Sequence, residues 1–287
     1  MGNIMWLASY PKSGNTWMRA FLHNVLRQST EPADINQMTG SLTQGESSIG
    51  WYRIVHPRPA SQWTPAEVAR MRPRVHEMIA GGQKGTVFCK THNILNRVHG
   101  QPTINTKVSA GAIYIVRNPL DVLSSFADFQ GVGIDEAITI MATQDFATMQ
   151  TDGNVCETLG SWSQHVSSWT KQSSQGFHVV RYEDLIDDPV KAFGEVLAFM
   201  KLEVAHKRLE RAVRNASFKE LRKQEDERGF NERPDHQQRF FRKGRAGQWK
   251  HELSAAQVAR MCDEHGEMME KFGYLPDRQA PLLQEKE

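Results

Sequence analysis

The feature that most constrains this chain lies at its start. The apolar run Ile4-Met5-Trp6-Leu7-Ala8-Ser9 reads as a buried strand, and Trp17, Phe21, Leu22, Val25 and Leu26 then recur at helical spacing. The spacing predicts a helix from Asn15 to Gln28. Between the two sits Tyr10-Pro11-Lys12-Ser13-Gly14. A strand, a short turn and a helix form the first half of a βαβ unit, and Gly14 lets that turn close without a Cβ clash. The first helical amides have no partner within the helix, and the positive end of its dipole lies behind them. Lys12 adds a full charge, while Ser13 and Thr16 add hydroxyls. The stretch is an anion cradle suited to phosphate. It differs from the nucleotide-triphosphatase loop G-x-x-x-x-G-K-S/T, because Lys12 precedes the single Gly.

The rest of the chain bounds the problem. A length of 287 residues suits one large α/β domain. Lys and Arg total 35 against 33 Asp and Glu, a balance that argues against a general nucleic-acid binder. Cys89, Cys156 and Cys262 form neither a disulfide framework nor a metal spacing, which favours a reducing compartment. No apolar run approaches the roughly 20 residues of a membrane span, and the N-terminus enters a strand without a charged leader. A cytoplasmic protein without a membrane partner is expected.

Residues 29–63 are small and polar and read as loop, with Trp51, Tyr52 and Trp63 as its anchors on the core or as lining of a pocket. Thr64-Pro65-Ala66-Glu67 opens a helix ended by Gly81-Gly82, with Arg70, Arg72 and Arg74 on a solvated face. Thr86–His92 is a second strand. Ligands of parallel sheets sit off the carboxyl ends of strands, which places Lys90 and His92 well for chemistry. Ala112–Val116 is a third strand, followed by Arg117-Asn118-Pro119 and a helix carrying Ser125. Helices are expected over 134–149 and 156–172, the second burying Trp162, Val166 and Trp169, with His165 as a bystander. Phe177–Val180 is a fourth strand, and Asp188-Pro189 opens a helix through Met200. Residues 225–239 are dense in charge and read as a mobile loop. The basic run Phe240–Lys250 holds two glycines between its cations, as a phosphate-closing loop does. Ser254-Ala255-Ala256-Gln257 caps a last helix, where Asp263, Glu264, His265 and Glu267 read as a charged face without metal spacing.

Six ordered motifs resemble the cytosolic-type sulfotransferases that use 3′-phosphoadenosine 5′-phosphosulfate (PAPS), and the member looks bacterial-like because Asn15 stands where a second Thr is common. They are Tyr-Pro-Lys-Ser-Gly-x-Thr-Trp at Tyr10, Lys-Thr-His at Lys90, Arg117 with Ser125 eight residues on, Arg181-Tyr182-Glu183-Asp184, Ser217-Phe218, and Arg-Lys-Gly-x-x-Gly-x-Trp-Lys at Arg242. The resemblance runs from about Ile4 to Trp249 and leaves 29–85 unmatched. It implies a single domain over 1–287: a central parallel sheet flanked by helices, with 29–85 as a variable acceptor-side region. It implies sulfuryl transfer from PAPS to a hydroxyl (or amine) of a small acceptor, releasing adenosine 3′,5′-bisphosphate, without a metal. His92 inherits the role of general base. Lys12, Lys90 and Ser125 join it in the catalytic set. The amides of Ser13, Gly14, Asn15, Thr16 and Trp17 hold the 5′-phosphate. Arg117, Ser125, Ser217, Arg242, Lys243 and Gly244 contact the 3′-phosphate, while Tyr182 and Phe218 contact adenine, with Trp17 facing Phe218 across the base. Ala216 replaces a common Thr. The eukaryotic Lys-x-x-x-Thr-Val-x-x-x-Glu dimer motif is not kept over Lys250–Ala259, so a homodimer would form by other means. Two alternatives share the cradle: a small-molecule kinase, which would need the missing Mg²⁺ hydroxyl and carboxylate, and a non-catalytic module for adenosine bisphosphate, which would not need Lys12 and His92 together.

Overall fold

A computed structural model describes residues 3–27, 29–171 and 176–276. The strands in chain order are β1 (Ile4–Ser9), β2 (Thr43–Gly45), β3 (Val87–Thr91), β4 (Arg97–Val98), β5 (Gln101–Pro102), β6 (Ser109–Val116) and β7 (Phe177–Arg181). The helices are α1 (Asn15–Leu26), α2 (Ile49–Val55), α3 (Pro65–Gly81), α4 (Pro119–Gln130), α5 (Ile134–Ala142), α6 (Trp162–Thr170), α7 (Tyr182–Asp187), α8 (Pro189–Phe199), α9 (His206–Asn215), α10 (Phe218–Arg228) and α11 (Ala255–Lys271). Five strands form one sheet in the order β2-β3-β1-β6-β7, and each neighbouring pair is parallel. β4 and β5 make a separate antiparallel hairpin.

The period-2 alternation of β1 divides the core. Ile4, Trp6 and Ala8 face a layer that includes α3, α4, α6 and α11, whereas Met5 and Leu7 face α1, α8 and α9. β1 is buried on both faces along its length, as the centre of a parallel sheet must be. The expected architecture, a parallel sheet between helical layers, is the observed one.

Several local expectations give way to tertiary contacts. The loop over 29–63 contains β2, an edge strand whose Thr43, Gln44 and Gly45 pair with Phe88, Cys89 and Lys90. Its pairing comes from β3, which no local pattern could announce. Tyr52 and Trp63 are buried in the core and Trp51 packs against it, so these aromatics anchor the region. Arg72 is not on a solvated face: it is 2% exposed and lies 3.4 Å from the fully buried Glu46. Helix α1 ends at Leu26, and Gln28 lies outside the described residues. The helix expected over 134–149 stops at Ala142, where Thr143 donates its hydroxyl to the Thr139 carbonyl at 2.7 Å. The chain then pairs with its own continuation, through Thr148 N to Glu157 O at 2.8 Å and Leu159 N to Phe146 O at 2.7 Å. That pairing also delays α6 to Trp162, behind the Ser161–Gln164 capping box; Gln172, its expected end, lies outside the described residues. Glu225 to Arg228 belong to α10 rather than to a loop.

Candidate functional site

All five strands of the sheet run the same way, so their carboxyl ends meet along one edge. A cavity of about 770 Å³ opens above that edge. Its floor is the turn between β1 and α1, the end of β3 and the ends of β6 and β7; residues 231–234 and 240–244 cover it. The topology thus brings Lys12, Lys90, His92, Arg117 and Tyr182 to one place.

The turn after β1 is strained and held. Lys12 adopts φ 67°, a left-handed conformation that costs about 1–3 kcal/mol for a residue with a Cβ. Arg117 donates from Nη1 to the Lys12 carbonyl at 2.9 Å and lies 4.3 Å over the Tyr182 ring. Gly14 follows at φ 107°, where an added Cβ would come within 2.7 Å of Tyr182. Tyr182 in turn meets Trp17 edge-on at 5.7 Å. The turn and the aromatic floor are therefore one packed unit, and glycine at 14 is required by both φ and proximity.

Around this unit, buried polar atoms have no partner among the described residues: the donors Lys12 Nζ, Ser13 Oγ, Trp17 Nε1 and Arg117 Nε, and the acceptor Asn15 Oδ1. A cluster of this kind is costly unless a ligand satisfies it, and its four donors call for an anionic one. Lys12 Nζ rests between Phe240, at 3.7 Å from the ring centroid, and Phe129, at 4.8 Å. Burial, followed by the Arg242 charge, lowers its pKa to about 7.

His92 stands just past the end of β3, against Ser9 at the end of β1. Its Nδ1 lies 2.7 Å from the Ser9 carbonyl, an acceptor, so Nδ1 carries the proton and Nε2 keeps the lone pair. The His92 backbone N–H donates to Glu157 Oε1 at 2.9 Å, and its carbonyl accepts from His165 Nε2 at 3.0 Å. His165 is no bystander: it is fully buried, bonds Tyr114 at 2.9 Å and braces the His92 backbone. Burial and then the Lys90 charge hold the His92 pKa well below its usual value, so the ring is neutral at pH 7.

Thr16, Ser125, Phe218, Arg242, Lys243 and Gly244 also line the cavity. Arg242 lies 3.5 Å from Asp128, and Lys243 is paired with Glu252. Gly244, at φ 60°, lets the covering loop touch Phe218, since a Cβ there would fall 2.2 Å from that ring. Two expected residues stand apart from the cavity wall. Ser13 is buried beneath the turn, and the Ser217 hydroxyl caps α10 by accepting from Glu220 N at 3.4 Å. Of residues 29–85, expected to shape the acceptor side, only Ser47 lines the cavity among the described residues. Residues within 146–159 line it as well.

Sequence reasoning also passed over Arg19 and Glu232. Arg19 is fully buried in α1 and donates from both Nη atoms to Glu232, at 2.7 Å each. Thr39 Oγ1 donates to the same carboxylate at 3.0 Å, and Lys90 Nζ lies 3.6 Å away. Burial opposes the Glu232 charge, yet Lys90 and Arg19 outweigh it and hold the carboxyl well below its usual range. The signal available was an arginine inside an apolar helix; its partner lay hidden in a charge-dense stretch.

Comparison with known proteins defines the class. The sulfotransferase domain family matches residues 3–273, and the chain belongs to that family. It is similar to sulfotransferase 1A1 of Bos taurus, 26% identical over 258 residues that cover 88% of this chain and 78% of that one. In fold it is similar to mouse sulfotransferase SULT7A1, solved in complex with PAP, at 19% identity and TM-score 0.61 over 93% of this chain and 84% of that one. A retinol dehydratase solved with retinol and PAP shares the fold at 16% identity and TM-score 0.64, over 98% and 83% of the two chains. No helix among the described residues is long and apolar enough to cross a membrane.

Proposed function

We propose that this chain moves a sulfuryl group from PAPS to a hydroxyl of a small acceptor and releases adenosine 3′,5′-bisphosphate. The observation that carries the reading is one juxtaposition. The Lys12 amine and Arg117, buried donors without full partners among the described residues, line the same cavity as a neutral His92 with its tautomer set by Ser9. Tyr182, Trp17 and Phe218 supply aromatic faces suited to a purine. A kinase would want a magnesium hydroxyl and carboxylate that the motif order does not provide, and a passive binding module would have no use for the poised base.

Each residue then has work to do. His92 Nε2 takes the acceptor proton as the new S–O bond forms. Lys12 donates to the bridging oxygen as the S–O bond to the 5′-phosphate breaks and charge grows there. Lys90 adds charge beside the transferring group. The turn amides hold the 5′-phosphate, while Arg117, Ser125, Arg242, Lys243 and the Gly244 amide serve the 3′-phosphate. Ser217, whose hydroxyl accepts from Glu220 N as the α10 cap, keeps its O–H free to donate to the same group. Positioning and electrostatics supply most of the rate, as in related phosphoryl transfers. A cytoplasmic setting fits the three unpaired cysteines.

The test is calorimetric titration with adenosine 3′,5′-bisphosphate and with AMP, which lacks the 3′-phosphate. Charge-assisted hydrogen bonds contribute about 1.5–3 kcal/mol each. Two of them correspond to a preference for the bisphosphate of roughly a hundred- to ten-thousand-fold. Arg242→Ala is the selective variant, because Arg117 also pins the Lys12 carbonyl and its loss would weaken both nucleotides. Arg242→Ala should cut the preference by about tenfold or more and leave AMP nearly unchanged. Equal wild-type affinities would reject the assignment.

A further inference from the structure

Among the described residues four carboxylates line the cavity, and three are matched by the protein. Glu232 is held by Arg19 and Lys90, Glu252 pairs with Lys243, and Asp121 accepts the backbone N–H groups of Gly247 at 2.7 Å and Trp249 at 3.1 Å. Glu157 is the exception. Its Oε1 accepts the His92 N–H, and among the described residues its Oε2 has no hydrogen-bond partner and its carboxylate no ion pair. The two positive charges that act on it are already engaged, Lys90 by Glu232 at 3.6 Å and Arg72 by Glu46 at 3.4 Å.

The main chain of Glu157 is held in place. Its backbone N–H donates to Thr148 Oγ1 at 2.9 Å, its carbonyl accepts from Thr148 N at 2.8 Å, and the adjoining Val155 N is bonded to Ser47 O at 2.8 Å. Phe146, Val155 and Leu159 supply the apolar wall around it. Burial, with the nearby Glu46 charge, pushes its carboxyl up from the usual value. A fixed, partly desolvated carboxylate beside the base is an unmet demand for positive charge.

We propose that Glu157 determines acceptor specificity, by selecting acceptors that carry a cationic nitrogen close to the hydroxyl to be sulfated. This rests on the sulfuryl-transfer reading above. The nitrogen so held is protonated, has no lone pair and is not the nucleophile. It pairs with Glu157 Oε2 and turns the neighbouring hydroxyl toward His92 Nε2, one hydrogen bond along the chain of contacts. The hydroxyl proton goes to Nε2, the acceptor oxygen bonds sulfur, and the donor's bridging oxygen leaves with its electron pair.

The experiment uses matched pairs of phenols, primary alcohols and sugars, each with and without an ammonium substituent near the hydroxyl. Transfer is measured with wild type and with Glu157→Gln, which keeps an oxygen for the His92 amide. The wild type should favour the ammonium member by about ten- to a hundredfold in kcat/KM. In Glu157→Gln that ratio should fall to about one, whatever the variant's overall rate. A wild-type ratio near one in every pair, or a ratio that survives in Glu157→Gln, overturns the proposal while leaving sulfuryl transfer intact. Calorimetric binding of the same pairs in the presence of adenosine 3′,5′-bisphosphate gives the same ratio without turnover. Absence of transfer throughout therefore counts against the proposed reaction, and the binding ratio still decides on Glu157.

Discussion

Replacing Glu232 by glutamine would leave a fully buried arginine without its counter-charge. Arg19 is 0% exposed and gives both Nη atoms to this carboxylate at 2.7 Å, while Lys90 leans on it from 3.6 Å. Breaking a buried pair by removing one partner costs about 3–5 kcal/mol. Because the Glu232 side chain is 28% exposed, solvent takes up part of the loss and the low end, about 3 kcal/mol, applies. Unfolding entropy of about 2.1 cal/mol/K per residue over 287 residues gives roughly 0.6 kcal/mol/K. The melting temperature of Glu232→Gln should therefore fall by about 5 °C at neutral pH. Glu232 has a depressed folded pKa. Its contribution is thus present above the ordinary carboxylate range and is lost as pH falls through that range toward the folded value. The gap between wild type and variant should shrink accordingly on acidification. The double variant Arg19→Met/Glu232→Gln removes both charges and should melt above Glu232→Gln alone. Differential scanning calorimetry reads all of this. A Glu232→Gln protein melting within a degree or so of wild type, or a double variant with additive losses, would refute the claim that the pair is buried and coupled.

Three further outcomes follow from the site. Lys12, lowered to about 7 in the free protein, should regain its proton when an anion binds. Titrations of adenosine 3′,5′-bisphosphate in buffers of different ionisation enthalpy should then show uptake of about 0.9 proton at pH 8 and almost none at pH 5, and Lys12→Met should abolish the difference. His92→Ala should lower turnover by about 10²–10⁴-fold with bisphosphate affinity near wild type, and wild-type turnover would place the base elsewhere. Gly244→Ala drives a Cβ into Phe218 at 2.2 Å from a residue at φ 60°, so it should weaken nucleotide binding measurably; unchanged affinity would remove Phe218 from the base-binding surface.

What the sequence determined by itself were the stretches that meet at the cavity, each with local spelling. The β1–turn–α1 unit, its lone Gly14, the Lys90–His92 strand end, Arg117 with Ser125, and the Arg242–Gly244 run are contiguous words, and hydrophobic period settles which of them begin or end strands. The parallel order of the sheet then needed only the rule that ligands gather at carboxyl ends. What tertiary structure alone decided are partnerships between distant residues. Strand β2 exists because β3 offers it a ladder, and α5 stops at Ala142 because 146–148 pairs better with 157–159 than with another helical turn. Arg72 and Arg19 look like surface charges until Glu46 and Glu232, from remote segments, neutralise them inside the core. Glu157 is the sharpest case: as a letter it is one acid among many, and only the closing of the chain sets it beside His92 with one oxygen unclaimed among the described residues. Local sequence carries dihedral preference and periodicity, whereas burial and charge compensation are properties of the packed whole, which is why those residues were not legible beforehand.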